Sequence, residues 1–352
     1  MKTVLLIFLL PVLIAYGFFS RSVKTPSEPL ATTTDFLKTS DKFYTISEEQ
    51  MALSNLTRPR AIAKMFTAIE QSEGAGARVR RSVGTAKLRN FSPFLMLDHF
   101  FVGGKAGFPD HPHRGQETIT YLLHGQFDHE DFTGAAGTID EGDLQFMTAG
   151  RGIMHAEIPR PQKDGSPVTG LQLWVDLPEE LKNVEPRYRD LRKTEIPIAA
   201  PSDKVEIKVI SGQSYGVKSV QDLAYTPVWM FDALIKPGGH VSQELPDGWN
   251  AFAYVLEGDV LCGLTKAKQY SNIVLEREGD GVELSVPEEF DTPARVVIIA
   301  GKVLDQKVVQ YGPFVATSQE KIYEAVMDFQ SAANGFERAR NWESKIAKMI
   351  RN

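Results

Sequence analysis

His111 and His113 stand two apart in HPHRGQETITYLLHG, residues 111–125, and His155 and Glu157 stand two apart in TAGRGIMHAEIP, residues 148–159. On an extended chain the side chains at i and i+2 project to one side. Each pair therefore presents both polar groups on one face. Two such strands lying across one barrel interior deliver three imidazoles and a carboxylate to a single point. Imidazole nitrogens with one carboxylate oxygen suit Fe(II) or Mn(II) in six-coordinate geometry, with positions open to water, dioxygen or a chelating substrate. Zn(II) and Ni(II) fit the same donors, since affinity rises toward the later metals. Parity keeps a second carboxylate in play, because Glu117 shares the His111/His113 face of a regular strand and rivals Glu157. Arg114 and Arg151 flank the two ligand segments, where each can form an ion pair behind the ligands or serve as ordinary surface. His99, His124 and His129 fall near turns or among charges, so exposure or hydrogen bonding is expected of them rather than ligation.

The remaining sequence limits which scaffolds and functions are open. The chain has 352 residues, 42% hydrophobic and 24% charged, an ordinary globular composition with room for roughly two domains. Its net charge of −6, with signs interspersed, offers no basic face for a phosphate backbone, and direct nucleic-acid binding is not expected. Cys262 is the single cysteine, which excludes an internal disulfide framework and a cysteine-rich zinc site. Histidines and carboxylates must hold any metal.

Residues 1–24 read as a hydrophobic leader: Lys2, an apolar run from Val4 to Phe19 broken only by Pro11 and Gly17, then Arg21 and Lys24. A spanning helix needs about 20 apolar residues, so the run fits a long signal-peptide core or a short membrane anchor. Membrane contact through residues 4–19 and a secretory or membrane address follow as expectations. The N-x-S/T triplets at Asn55 and Asn90 are compatible with that route. Residues 25–75, rich in Ser, Thr, Pro and charge, read as a linker.

From residue 76 the texture changes to short β-rich runs separated by glycine turns, which predicts an all-β sandwich or barrel over 76–198 and a second β-rich set over 199–315. AYVLEGDV at 253–260 echoes TYLLHGQF at 120–127, with Gly258 where the first copy has Gly125, the signature of an internal duplication. The second copy offers only His240 in place of the histidine pair and is expected to lack metal ligands. In the tail, 316–352, Thr317 and Glu320 have capping-box spacing, and Ile322, Val326 and Phe329 recur on one helical face. An amphipathic helix packed back on a barrel is expected.

The run FLMLDHFFVGG…HPHRG…TAGRGIMHAEIP, with RVRRSVG before it and GPFVATSQEKIYEAVMDFQSAANGFERA near the end, closely resembles the pirin family of the cupin superfamily over roughly residues 76–343. The resemblance implies a bicupin: two tandem antiparallel β-barrels of jelly-roll type with a C-terminal α-helix, and a metal in the first barrel only. It further implies iron held by His111, His113, His155 and Glu157, leaving Glu117 to orient a histidine or sit near the pocket. Two activities of different classes come with it. One is opening of the ring of a flavonol such as quercetin with O2. The other is non-catalytic, iron-dependent co-regulation of transcription factors through protein contacts in the nucleus or cytoplasm. For the enzyme, Glu157 is the candidate base toward the substrate hydroxyl, and a carboxylate that stays on the metal fits the same residues. The apolar leader weighs against the nuclear address. Residues 1–30 fused to a fluorescent reporter should direct it to the secretory pathway or a membrane, and a diffuse cytosolic or nuclear signal would contradict that address.

Overall fold

The computed structural model describes residues 56–104, 106–219 and 224–348. The leader, Asn55 and the first part of the segment 25–75 lie outside the described residues.

One design appears twice. The first barrel has a seven-stranded sheet in the order Arg187–Leu191, Leu144–Thr148, Gln116–His124, Val168–Asp176, Phe94–Val102, Ala77–Val83 and Glu70–Glu73. Against it stands a four-stranded sheet of Phe108–His113, Ile153–Pro159, Gln126–Asp131 and Ala136–Asp140. The second barrel repeats the order with Ile62–Thr67, Ser271–Leu275, Asn250–Glu257, Ala294–Gly301, Val228–Ile235, Val205–Ser211 and Ile198–Ser202. Its four-stranded sheet is Gly239–Glu244, Gly281–Val286, Val260–Cys262 and Thr265–Ala267. Gly125 and Gly258 occupy the same turn in the two copies, both at positive φ (87° and 68°). A Cβ on Gly258 would lie 2.3 Å from the carbonyl of Pro293, so this turn accepts only glycine.

The segment read as a linker is partly ordered β structure. Ile62–Thr67 pairs with Ser271–Leu275 and fills, in the second barrel, the edge that Arg187–Leu191 fills in the first. Glu70–Glu73, three residues further on, belongs to the first barrel through Ala77–Val83. Most side chains of Ile62–Thr67 are exposed or half-buried, so backbone pairing rather than an apolar face defines the strand.

The two seven-stranded sheets pack face to face. In Gln116–His124, Ile119 and Tyr121 enter the seam while Leu122 enters the barrel's own interior. In Asn250–Glu257, Phe252, Tyr254 and Leu256 enter the seam, and Ala251, Ala253 and Val255 the interior. Sheets buried on both faces require nearly continuous apolar strands, as "RVVIIAG" at 295–301 shows. The second barrel's interior is largely apolar, with Gln243 the buried polar side chain on the inner face of Gly239–Glu244. Where the first barrel carries its ligand strands, the second carries Val241, Val282, Leu284 and Val286. His240 falls on the opposite parity to Val241 and is not drawn into that core.

At the C-terminus, Gln319–Ser331 forms the expected helix, with Ile322, Ala325, Val326 and Phe329 packed around Phe314 and Phe336. Its cap is Ser318, whose side chain accepts from the Lys321 N–H, rather than Thr317. The Thr317 hydroxyl donates instead to Glu179 at 2.9 Å.

One polar lock crosses the seam. The Tyr121 hydroxyl donates to Asp232 at 2.7 Å, and the same carboxylate receives a two-pronged bond from Arg295 at 2.9 and 2.7 Å. Replacing Asp232 by Ala would leave a buried hydroxyl and a mostly buried guanidinium without their partner, a loss of about 3 kcal/mol. Urea unfolding of Asp232→Ala should show that loss, and an unchanged midpoint would remove the lock from the account of the seam.

Candidate metal centre

Phe108–His113 and Ile153–Pro159 are hydrogen-bonded neighbours in the four-stranded sheet, and His155 lies directly opposite His111. His113, two residues on, shares their side of the sheet. One nitrogen from each of His111, His113 and His155 comes within 4.8 Å of the others, the one such cluster of metal-binding side chains among the described residues. Ring centroids are 4.3 Å apart for His111 and His155 and 4.9 Å for each of the other two pairs. The chain just after Phe108–His113 and the turn just before Ile153–Pro159 are joined directly, Gly115 N–H to Gly150 O at 2.8 Å and Ala149 N–H to Gln116 O at 2.9 Å.

His113 and His155 are buried, and His111 is partly exposed. Burial holds all three imidazoles below the ordinary histidine range, so each is neutral and has a lone pair to give at neutral pH. His111 Nδ1 faces the carbonyl of Pro109 at 2.9 Å, which places its proton there and leaves the Nε2 lone pair directed at His155 Nε2, 2.9 Å away. The Gln116 amide sits 2.7 Å from His113 Nδ1, and the edge of Trp174 meets the same ring at 5.1 Å and 87°. The amide nitrogen stands at that position; with the amide turned over, its oxygen accepts from Nδ1 and the lone pair is left on Nε2. His113 Nε2 is buried without a hydrogen-bond partner. An unpartnered buried nitrogen beside two imidazoles that face each other nitrogen to nitrogen is the pattern a divalent cation would satisfy. The residues present fit a metal.

Glu157 lies outside that trio. The register slips between His155 and Glu157, which stand opposite His111 and Phe108 respectively, so the facing strand has one more residue over this stretch. Its Oε1 is 3.0 Å from the Thr120 hydroxyl, and its Oε2 is 3.3 Å from the Gln172 amide nitrogen. Thr120 is also 3.0 Å from the Gln172 amide oxygen, and it has a single proton for two oxygen neighbours. Reversing the amide only moves the oxygen–oxygen contact to the Gln172–Glu157 side. In either orientation the ring of three closes when Glu157 carries a proton. Burial independently pushes the Glu157 carboxyl up to about 7. A cation among the histidines would take that proton's place.

Glu117, the rival by parity, is not at the centre. It accepts from the Thr148 hydroxyl at 2.8 Å and from the backbone N–H groups of Tyr225 and Thr226 at 3.1 and 3.2 Å, and so fastens one barrel to the other. Its neighbour Gln116 is the residue that steadies a histidine. Gln116, Thr120 and Gln172 escaped the sequence reading because neutral polar residues in a strand carry no signal of their own, although strand parity from Glu157's partners marks them once the sheet order is known.

The discounted histidines divide. His124 is half-exposed between Glu141 and Ser166, as expected. His99 is buried in mid-strand against Phe101 and Tyr254, and its burial brings the pKa down to about 3. His129 is also buried, directly opposite Glu157, with Asp190 at 3.5 Å and the Tyr188 ring stacked at 6.1 Å. Arg151 pairs with Glu185 near the surface, whereas Arg114 pairs with Asp328 while largely buried.

Comparison with known proteins agrees with this architecture. The family model described as Pirin matches residues 76–175, and that described as the Pirin C-terminal cupin domain matches 230–335. Human Pirin is 48% identical over 283 residues, covering 79% of this chain and 94% of the relative. A tomato pirin-like protein is 46% identical over 301 residues, covering 84% of this chain and all of the relative. Among solved structures, a quercetin 2,3-dioxygenase from Acinetobacter baumannii has a TM-score of 0.71 at 28% identity, over 78% of this chain and 98% of the other. With both barrels matched and the histidine trio inside the first, the chain belongs to the pirin family of cupins.

Proposed function

We propose that this protein is an iron-dependent dioxygenase that opens the ring of a flavonol such as quercetin. The observation that carries the reading is the neutral, largely buried histidine trio inside a fold shared with a quercetin 2,3-dioxygenase. His111, His113 and His155 would hold Fe(II), with Glu157 as the fourth ligand; Mn, Ni and Zn suit the same donors. When bound, the metal supplies Lewis acidity toward the flavonol's adjacent oxo and hydroxy oxygens and electron-transfer chemistry toward O2.

The chain's own residues perform the rest. Gln116 and Pro109 fix the imidazole orientations through their second nitrogens. Thr120 and Gln172 hold the two oxygens of Glu157, so that the carboxylate either ligates or receives the substrate's hydroxyl proton without losing its position. Trp174 flanks the trio, and Phe100, Leu122, Phe127 and Ile139 line a dry part of the barrel interior.

A second reading, a non-catalytic iron-dependent co-regulator acting through protein contacts, draws support from the higher identity to human Pirin than to the bacterial enzyme. From the leader we infer a secretory or membrane address for either role.

Two measurements bear on these readings. Iron-loaded protein mixed anaerobically with quercetin and then exposed to oxygen should consume O2 and bleach the flavonol band, and His113→Ala should do neither. No bleaching by the iron-loaded wild type would end the enzyme reading and favour the co-regulator. The second concerns the Glu157 proton in metal-free protein. A carboxyl pushed up to about 7 stabilises the fold most below its unfolded value of 4.5, and that contribution is lost as pH rises toward 7. Relative to wild type, Glu157→Gln should therefore gain about 2–3 kcal/mol between pH 5 and pH 8 in urea unfolding. A stability difference that does not change with pH would show that the carboxyl is not held neutral.

A further inference from the structure

Outside the barrel, the two ligand segments and the C-terminal arm converge on one side chain. Arg114 follows the ligand His113 and turns outward. Its Nε donates to the carbonyl of Arg151 in the other ligand segment at 2.6 Å, and its Nη1 pairs with Asp328 on the helix at 2.7 Å. Nη2 donates to the carbonyl of Asn334, and the guanidinium lies over the Phe336 ring at 4.8 Å. The backbone joins in, with Arg114 N–H donating to Pro313 O at 3.2 Å and Val315 N–H donating to Arg114 O at 3.0 Å.

There is no slack in this junction. A Cβ on Gly115 would come 2.1 Å from the carbonyl of Val315, and one on Gly152 would come 2.8 Å from the Phe336 ring. A Cβ on Gly335 would meet the carbonyl of Arg151 at 2.5 Å. The Arg114 and Asp328 side chains are 12% and 19% exposed, so solvent screens the pair far less than an ordinary surface bridge. A helix merely tied to a barrel would need the ion pair alone. Here one planar fork also spans the segment bearing His111 and His113 and the segment bearing His155.

We propose that Arg114 is a positioning residue of the metal centre and that the C-terminal arm, residues 309–340, is a working part of it. The arm and Arg114 set the separation of the two ligand segments, so contacts on the outside of the barrel determine how tightly and in what geometry the histidines bind a cation. This deepens the reading of the histidine trio as a metal site and rests on it. Lysine cannot replace the fork, because an ammonium is a point charge and does not reach three acceptors in fixed directions.

The test is Co(II) titration of the full-length, metal-free protein, followed by its visible ligand-field bands, with thermal unfolding of the same samples. Wild type should bind one equivalent. Arg114→Lys keeps the charge opposite Asp328 and should unfold within a few degrees of wild type. It should nevertheless bind Co(II) about 10–100-fold more weakly, with shifted bands. Asp328→Asn, remote from the ligands, should weaken binding in the same direction by a smaller factor. Unchanged affinity and bands in Arg114→Lys overturn the proposal, as does weaker binding that only tracks lost thermal stability with the bands unmoved. Should Arg114→Lys fail to fold, Asp328→Asn decides, and wild-type affinity in that variant overturns the proposal. Absence of Co(II) binding by wild type would instead sink the histidine trio as a metal site, and this inference with it.

Discussion

Three imidazoles and a carboxyl held away from water inside a barrel are costly to bury, and most of the surrounding structure answers that cost. Gln116 faces His113, and Thr120 and Gln172 face Glu157, each from a different strand, while the carbonyl of Pro109 faces His111 from within its own strand. The atoms left over, above all His113 Nε2, are the ones a cation would satisfy. The second barrel has no such demand. Its interior is largely apolar, and its broad sheet gives the first barrel's broad sheet a hydrophobic face to lie on.

Division of labour between the copies explains why the duplication remains visible in strand order yet not in chemistry. Both copies keep the seven-plus-four arrangement and the glycine at the same turn. Valine and leucine stand in one where histidine and glutamate stand in the other. The seam needs few polar contacts. Among those it has, Tyr121 with Asp232 and Glu117 with the 225–226 backbone help fix how the two sheets meet.

What the sequence revealed follows strand geometry. The spacing of His111, His113 and His155 was legible because a strand turns alternate residues to one side, and no distant information is needed for that. Glu117 misled for the same reason. The stretch 111–124 reads as one strand but is two, broken at Arg114 and Gly115 and lying in different sheets, so parity does not carry across. His99 and His129 read as exposed or hydrogen-bonded, and their burial was not legible because the groups that cover them, Tyr254 for one and Tyr188 for the other, come from strands far along the chain. Ile62–Thr67 had no apolar alternation to betray it, and the partner of Arg114 lies 214 residues away.

The exchange of ends between barrels has a consequence for synthesis. The strand at 62–67 emerges before any of the first barrel, yet its hydrogen-bonding partner at 271–275 is made some two hundred residues later. The first barrel's own strands are complete by residue 191, while the segment that clasps Arg114 at 334–336 is made well over a hundred residues later. Pairings so distant in sequence are slow to form and leave sheet edges open meanwhile. The second barrel therefore cannot close until the strands at 271–275 and 294–301 have been made, and the junction around Arg114 forms only after the first barrel's strands are all present.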